Sequence, residues 1–223
     1  MSSTFTPERP VVETLVRSAL FRQLGRQAPA GAPTLMVNSS ARHMHISPEN
    51  LEVLFGPGAK LTVHKWLYQE GQFASEQTVT LIGPRRRVIP SLRILGPTRN
   101  LTQIELAITD AIQLGMDIPV RMSGDIRGTP GGYVMGPKGM LEMKDGLIRA
   151  ARHVHMSPAD AKFYSVKHLD RITLKVTSPY CNTRFDDLIC RVDPSFKLEV
   201  HMDTDEANAC DLERAVKVEL FKN

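Results

Sequence analysis

Ala41-Arg42-His43-Met44-His45-Ile46-Ser47-Pro48 decides how this chain is read, because Ala151-Arg152-His153-Val154-His155-Met156-Ser157-Pro158 says it again. Only Met/Val and Ile/Met are exchanged between the two copies. A phrase returning at half-chain scale indicates one structural unit used twice. In an extended strand, residues two apart point to the same face, about 6.5–7 Å apart along the chain. His43 and His45 then share a face while Met44 and Ile46 take the other, and His153 and His155 are likewise backed by Val154 and Met156. Two neutral imidazoles on one face can converge on a metal ion at about 2.0–2.1 Å from each nitrogen. The alternative is a duplicated strand whose histidines only hydrogen-bond, and recurrence of the pair in identical context favours the metal.

Both copies run into Ser-Pro, a serine N-cap with proline at the first helical position, which predicts short helices from Pro48 through Phe55 and from Pro158 to about Tyr164. Leu35 to Ile46 reads as the first His-bearing strand. Further strands are predicted at 60–65, 77–82, 88–95, 171–176, 188–192 and 197–202. The 101–115 stretch is open to two readings. Thr102-Gln103-Ile104-Glu105 has the capping-box pattern of a helix start. Thr102, Ile104, Leu106 and Ile108 also alternate as a strand would. Glu105 is accordingly a helix cap or an inward-facing carboxylate. Gly136-Pro137-Lys138-Gly139 lacks the Gly-Lys-Ser/Thr ending of a phosphate-binding loop and reads as a hairpin.

Upstream of the first copy, Val12, Leu15, Val16, Ala19, Leu20 and Leu24 recur at helical spacing, so residues 11–24 form an amphipathic helix ending at Gly25. The linker Gln27-Ala28-Pro29-Ala30-Gly31-Ala32-Pro33 separates it from the body. Its apolar face docks on the body, on a partner or on another copy.

The 223 residues suffice for one large domain or two small ones, and 15 Gly and 15 Pro at short intervals suit many short strands. The net charge of +4 is spread along the chain apart from Arg85-Arg86-Arg87, and aromatics make up only 6%, which disfavours nucleic acid. Cys181, Cys190 and Cys210 are odd in number and lack CxxC spacing, so reduced intracellular thiols are expected. No apolar run approaches the roughly 18 residues that span a bilayer. Glu8, Arg9 and Pro10 interrupt the place where a signal peptide needs an apolar block, and a soluble, cytosolic protein is expected.

Two histidine pairs call for completing ligands. His201, in the alternating Leu198-Glu199-Val200-His201-Met202-Asp203, is the best candidate, while His64 and His168 read as surface residues. Three histidines with an open position make a catalytic site, because structural zinc is closed by four protein ligands. Asp203 and Glu206 read as a solvated helix start rather than as groups orienting the histidines. Arg99 follows Gly96-Pro97 at the end of an apolar strand, where a guanidinium can meet an oxyanion at a sheet rim.

These residues carry a resemblance. The paired Ala-Arg-His-x-His phrases, Gly96-Pro97-Thr98-Arg99 followed by Thr102-Gln103-Ile104-Glu105, Ser123-Gly124-Asp125 and the 201–209 segment together resemble PduL-type phosphate propanoyltransferase, the phosphotransacylase of bacterial microcompartments. The resemblance spans roughly residues 35–220. It implies exchange of phosphate and coenzyme A on a short acyl group, propanoyl or acetyl. The implied fold is mainly β, internally repeated, with two small β-barrels capped by short α-helices and an N-terminal amphipathic helix. The division that follows is 1–33 for helix and linker, 34–46 plus 155–223 for the first barrel, and 47–154 for the second. Two divalent ions per chain, zinc for preference, are implied at the junction: one on His43, His45 and Glu105, the other on His153, His155 and His201. Arg99 matches the catalytic, phosphate-binding arginine, and Ser40, Lys65, Arg93, Leu95 and Asn208 stand where the family contacts CoA. Microcompartment members use an N-terminal helix and linker for encapsulation, so the resemblance implies shell proteins as partners of residues 11–24, a location inside a microcompartment and a homodimer. It implies neither a nucleic-acid nor a membrane partner. Two other classes compete: a cupin-like dioxygenase or isomerase with one metal, and a non-catalytic scaffold closed around metal.

Overall fold

His43-Met44-His45 is sandwiched between two other strands, and that placement organises half of the molecule. In the computed structural model, which describes residues 33–222, the strand β2 (His43–His45) runs parallel to β5 (Val88–Gly96) and antiparallel to β6 (Gln103–Glu105). The second phrase has the same neighbours in kind. The strand β11 (His153–Met156) is parallel to β13 (Thr183–Val192) and antiparallel to β14 (Glu199–Asp203). Each phrase then enters a helix capped by its serine: α1 (Pro48–Phe55), where Asn50 N donates to Ser47 Oγ, and α3 (Pro158–Phe163), where Asp160 N donates to Ser157 Oγ.

The remaining elements in chain order are β1 (Met36–Ser40), β3 (Val63–Trp66), β4 (Phe73–Ile82), α2 (Ile108–Leu114), β7 (Val120–Arg121), β8 (Gly132–Met135), β9 (Met140–Met143), β10 (Leu147–Ala150), β12 (Arg171–Thr177), α4 (Thr204–Ala209), a 3₁₀ turn at Leu212–Arg214 and β15 (Lys217–Phe221). They form two mixed sheets. One has six strands in the order β1-β14-β11-β13-β12-β15; the other has nine, β7-β10-β6-β2-β5-β4-β8-β9, with β3 added on β4. Each sheet is a curled half-barrel with edge strands at its ends, which meets the expectation of two small β-barrels in part. The described residues bear out the mainly β expectation; the predicted helix at 11–24 and its linker to Ala32 lie outside them.

Each sheet has its own apolar core. Met44, Ile46, Leu81, Ile94, Ile104 and Leu147 anchor one, and Val154, Met156, Leu174, Leu188 and Val200 the other. The phrase's apolar residues thus do what alternation predicts, yet His43 and His45 are also only 6% and 4% exposed. Central strands of mixed sheets are covered on both faces.

Two local expectations need correction. The single strand predicted over 35–46 breaks at Ala41-Arg42: β1 lies in the six-stranded sheet, parallel to β14, and β2 in the nine-stranded one. The chain returns to the six-stranded sheet between Ala150 and His153. The 101–115 stretch holds both of its alternatives, strand β6 and then helix α2. The helix begins at Ala107, whose N–H donates to Asp110, because Thr102 Oγ1 is taken by Ser47 N at 3.1 Å and by Asn50 Nδ2 at 2.7 Å. Gly136–Gly139 is the predicted hairpin between β8 and β9.

Polar contacts bind the two sheets together. Arg149 on β10 pairs with Asp203 and, at 2.7 Å, with Glu206, which also takes Arg152 at 2.6 Å. Asp203 caps α4, and both carboxylates are buried, where a solvated helix start was expected. Gln69 donates to Glu199 at 2.7 Å and to the Lys197 carbonyl at 2.9 Å. Removing one partner from a buried ion pair strands the other in low dielectric. Arg149→Met is therefore expected to lower unfolding free energy by roughly 3 kcal/mol, read as an earlier urea midpoint with unchanged slope.

Candidate active site

Register creates the site. Directly across the antiparallel ladder from His43 stands Glu105, and directly across from His153 stands His201. Opposite residues in such a ladder carry side chains on one face, with Cβ atoms about 4.5–5.5 Å apart. Each His-x-His pair thereby gains a third donor from the neighbouring strand. Glu105 resolves as the inward-facing carboxylate, not the helix cap.

In the first triad His43 Nε2 lies 3.1 Å from His45 Nε2. Glu105 places Oε2 at 3.6 Å from His43 Nε2 and Oε1 at 3.8 Å from His45 Nε2. Four donors about 2.0–2.1 Å from a tetrahedral ion would stand roughly 3.3 Å apart, so these three are already spaced for one. The second triad brings the ring nitrogens of His153, His155 and His201 within 4.8 Å of one another. Ring nitrogens this close, with no proton to share among several of them, are a poor arrangement for hydrogen bonding alone. Both nitrogens of His155 and Nδ1 of His45 are buried without a hydrogen-bond partner. Such orphans call for an explanation, and a metal fits the donor set of both triads.

The backbone prepares one nitrogen in each site. His43 Nδ1 lies 2.8 Å from the Ala41 carbonyl and His153 Nδ1 lies 2.9 Å from the Ala151 carbonyl. A carbonyl only accepts, so it fixes the proton on Nδ1 and leaves the Nε2 lone pair free. Burial, with neighbouring His43 and Arg99 charge behind it, holds the His45 imidazole well below the ordinary histidine range. Burial and then His201 lower His153 to about 4 and, with His153 and the two nearby arginines, His155 to about 2. Neutral imidazole is the metal-binding form. Burial pushes the Glu105 carboxyl up, but His43, Ser123, His153 and Arg99 outweigh it and keep it ionised.

A consequence follows for the metal-free protein. Its unfolded chain takes up protons near pH 6.5, while folded His153 resists until about pH 4. The unfolded state binds more protons in that window, so stability falls as pH falls through it. Chelator-treated protein should melt at a lower temperature at pH 5 than at pH 7, and metal-loaded protein should show a different pH response because the ligands are held.

Both triads open onto one cleft of about 390 Å³. Arg99, Ser40 and Leu95 also line it; Lys65, Arg93 and Asn208 do not. Lys65 is exposed on β3, Asn208 is exposed on α4, and the Arg93 guanidinium donates to the Ser75 carbonyl at 2.5 Å. His64 is exposed beside Glu76 and His168 accepts from Val192 N, as befits surface residues. None of Cys181, Cys190 and Cys210 lines the cleft, and all three are free thiols.

Sequence reasoning passed over several residues that line the cleft or stand behind it. Glu199 sits opposite His155, is 2% exposed, and places a carboxylate oxygen 3.1 Å from His201 Nε2. Gln103 stands opposite His45 and donates to Glu105 Oε1 at 2.7 Å and Ser123 Oγ at 2.9 Å. Arg191 lies beside His155. Glu199-x-His201 and Gln103-x-Glu105 have the same two-residue spacing as the histidine pairs, a signal that was available. No helix among the described residues is long and apolar enough to cross a membrane.

Comparison with known proteins agrees with the geometry. The family model for phosphate propanoyltransferase matches residues 36–213. A phosphate propanoyltransferase of Planctopirus limnophila is 54% identical over 96% of this chain and 91% of its own length. One from Thermotoga maritima is 49% identical over 79% of this chain and 84% of its own, and one from Salmonella typhimurium 41% identical over 91% and 92%. The matched span takes in both histidine phrases, Arg99, Glu105 and His201, and the chain belongs to the phosphate propanoyltransferase family of acyltransferases.

Proposed function

We propose that this chain interconverts a short-chain acyl-CoA, propanoyl or acetyl, and phosphate with the acyl phosphate and CoA. The observation that carries the reading is the opening of two three-donor clusters onto a single cleft. His43, His45 and Glu105 would hold one divalent ion and His153, His155 and His201 a second, zinc in both on the strength of the nitrogen-rich donor sets. Bound there, the ions would supply Lewis acidity, one favouring CoA sulfur as thiolate and the other phosphate oxygen.

The protein's own groups then act by position and charge. Arg99 reaches the cleft from the segment after β5, its backbone N–H held by the Ile46 carbonyl at 2.9 Å. No hydrogen bond or ion pair among the described residues occupies its guanidinium, so its donors are free to grip a phosphate and offset its charge. A phosphate oxygen attacks the thioester carbonyl carbon, the C–O bond forms, the C–S bond breaks, and the thiolate departs with its electron pair. Direct transfer within one ternary complex is supported by the lack of a cleft cysteine.

Ser40 and Leu95 would meet the CoA thiol end at the cleft wall, with Lys65, Arg93 and Asn208 contacting the rest of CoA outside it. A single-metal cupin-like oxygenase or isomerase would leave the second triad without a purpose, and a closed scaffold would have no use for a cleft. Residues 11–24 would bind microcompartment shell proteins, and deletion of 1–33 would leave turnover intact while ending co-localisation with shells. Homodimerisation is part of the same reading. Release of thiol from propanoyl-CoA, followed with and without phosphate, tests the activity: phosphate-dependent release is expected, and none in its presence would overturn the assignment.

A further inference from the structure

We propose that Arg191 is a second phosphate-binding residue, working with Arg99 from the opposite sheet and fixing which end of the cleft takes phosphate. The inference deepens the transferase reading and rests on it.

Arg191 is on β13, paired in register with His155 on the adjacent parallel strand, and it lines the cleft. Neighbours in register share a face. Among the described residues its guanidinium has no hydrogen bond and no ion pair; its recorded packing is over the Phe196 ring, 5.9 Å from the centroid, while Phe196 stacks on His155 at 4.0 Å. A guanidinium carries five N–H donors and accepts nothing. Partial burial with those donors unmet is costly unless an acceptor arrives. Arg99 is in the same condition at the same cleft. Burial lowers the pKa of both, the Glu105 charge opposes it in part, and the charge of Arg191 lowers that of Arg99 further. Two neighbouring cations without protein acceptors are arranged for an anion with several oxygens.

The other sheet shows why the charge belongs at this end. Its register pairs His43 with Arg93, so the next inward residue of β5, two further along, is Leu95. Leu95 therefore takes on β5 the place that Arg191 takes on β13. The first triad contains the Glu105 carboxylate where the second has His201. The buried carboxylates beside the second triad are both engaged, Glu199 by Gln69 and His201 and Asp203 by Arg149. The cleft is thus polar by construction: an apolar wall and a carboxylate at the first triad, a free guanidinium and three imidazoles at the second. A dianionic phosphoryl group fits the second end and a thioester the first. Arg191 would hold phosphate oxygens that do not attack, leaving the attacking oxygen toward the carbonyl carbon.

The test uses the full chain with metals bound. Thiol release is followed against phosphate concentration for wild type, Arg191→Gln and Arg191→Lys, with metal content measured on each. Losing charge-assisted bonds to phosphate should raise the phosphate KM of Arg191→Gln roughly 10- to 100-fold, with the propanoyl-CoA KM moving less than about twofold. Arg191→Lys should recover part of the loss, and both should keep wild-type metal content. An unchanged phosphate KM, or a loss of metal matching the loss of rate, overturns the proposal. Absence of turnover in wild type would instead overturn the transferase reading. Phosphate-induced protection against thermal melting then decides Arg191 separately: protection in wild type that vanishes in Arg191→Gln supports the site, and equal protection in both sinks it.

Discussion

Arg99→Gln should lower kcat for phosphate-dependent thiol release by about 10²- to 10³-fold, the usual consequence of deleting one preorganised donor from the place where charge develops. The substitution removes a cation that reaches the cleft without a protein partner and sits close enough to Glu105 and Arg191 to feel both. Its stability cost should be small, since no structural hydrogen bond of the guanidinium is lost. The backbone bond from Arg99 to Ile46 stays, so the segment keeps its course. A rate within threefold of wild type would remove Arg99 from the chemistry.

His155→Ala should have an equally large effect by a different route. His155 is the triad member with both ring nitrogens buried and unpartnered, and burial and its charged neighbours lower its pKa to about 2. Even partners one step removed from a metal cost about 10- to 100-fold in affinity when mutated, so a direct donor should cost at least about 100-fold. Equilibrium dialysis against zinc should show one site weakened and the other kept, with turnover lost. Retention of two tight sites would mean that His155 serves only in packing against Phe196 and the neighbouring imidazoles.

What the sequence disclosed was short in range. The His-x-His pairs, the Ser-Pro helix starts and the Met44/Ile46 core face all depend on residues within a few positions of one another, and each is found where periodicity placed it. Glu105 could not be settled that way, because cap and strand patterns coincide over 102–108. Its role is set by pairing with His43 across a ladder, an association between segments roughly sixty residues apart. The break at Ala41-Arg42 was hidden for a related reason: nothing local announces that β1 and β2 join different sheets. Arg191 belongs to no motif, and only the parallel register of β13 with β11 brings it beside His155. Asp203 and Glu206 have helix-start chemistry in the sequence and in the fold, but their burial against Arg149 and Arg152 comes from the packing of one sheet on the other.

Metal analysis of the purified full-length chain, reconstituted with zinc and freed of loosely held ion, tests the central claim most directly. Two ions per chain are expected, falling to one when either His43 and His45 or His153 and His155 are replaced by alanine. A single ion in the intact chain, or two ions surviving either double replacement, would contradict a cleft built between paired metal sites.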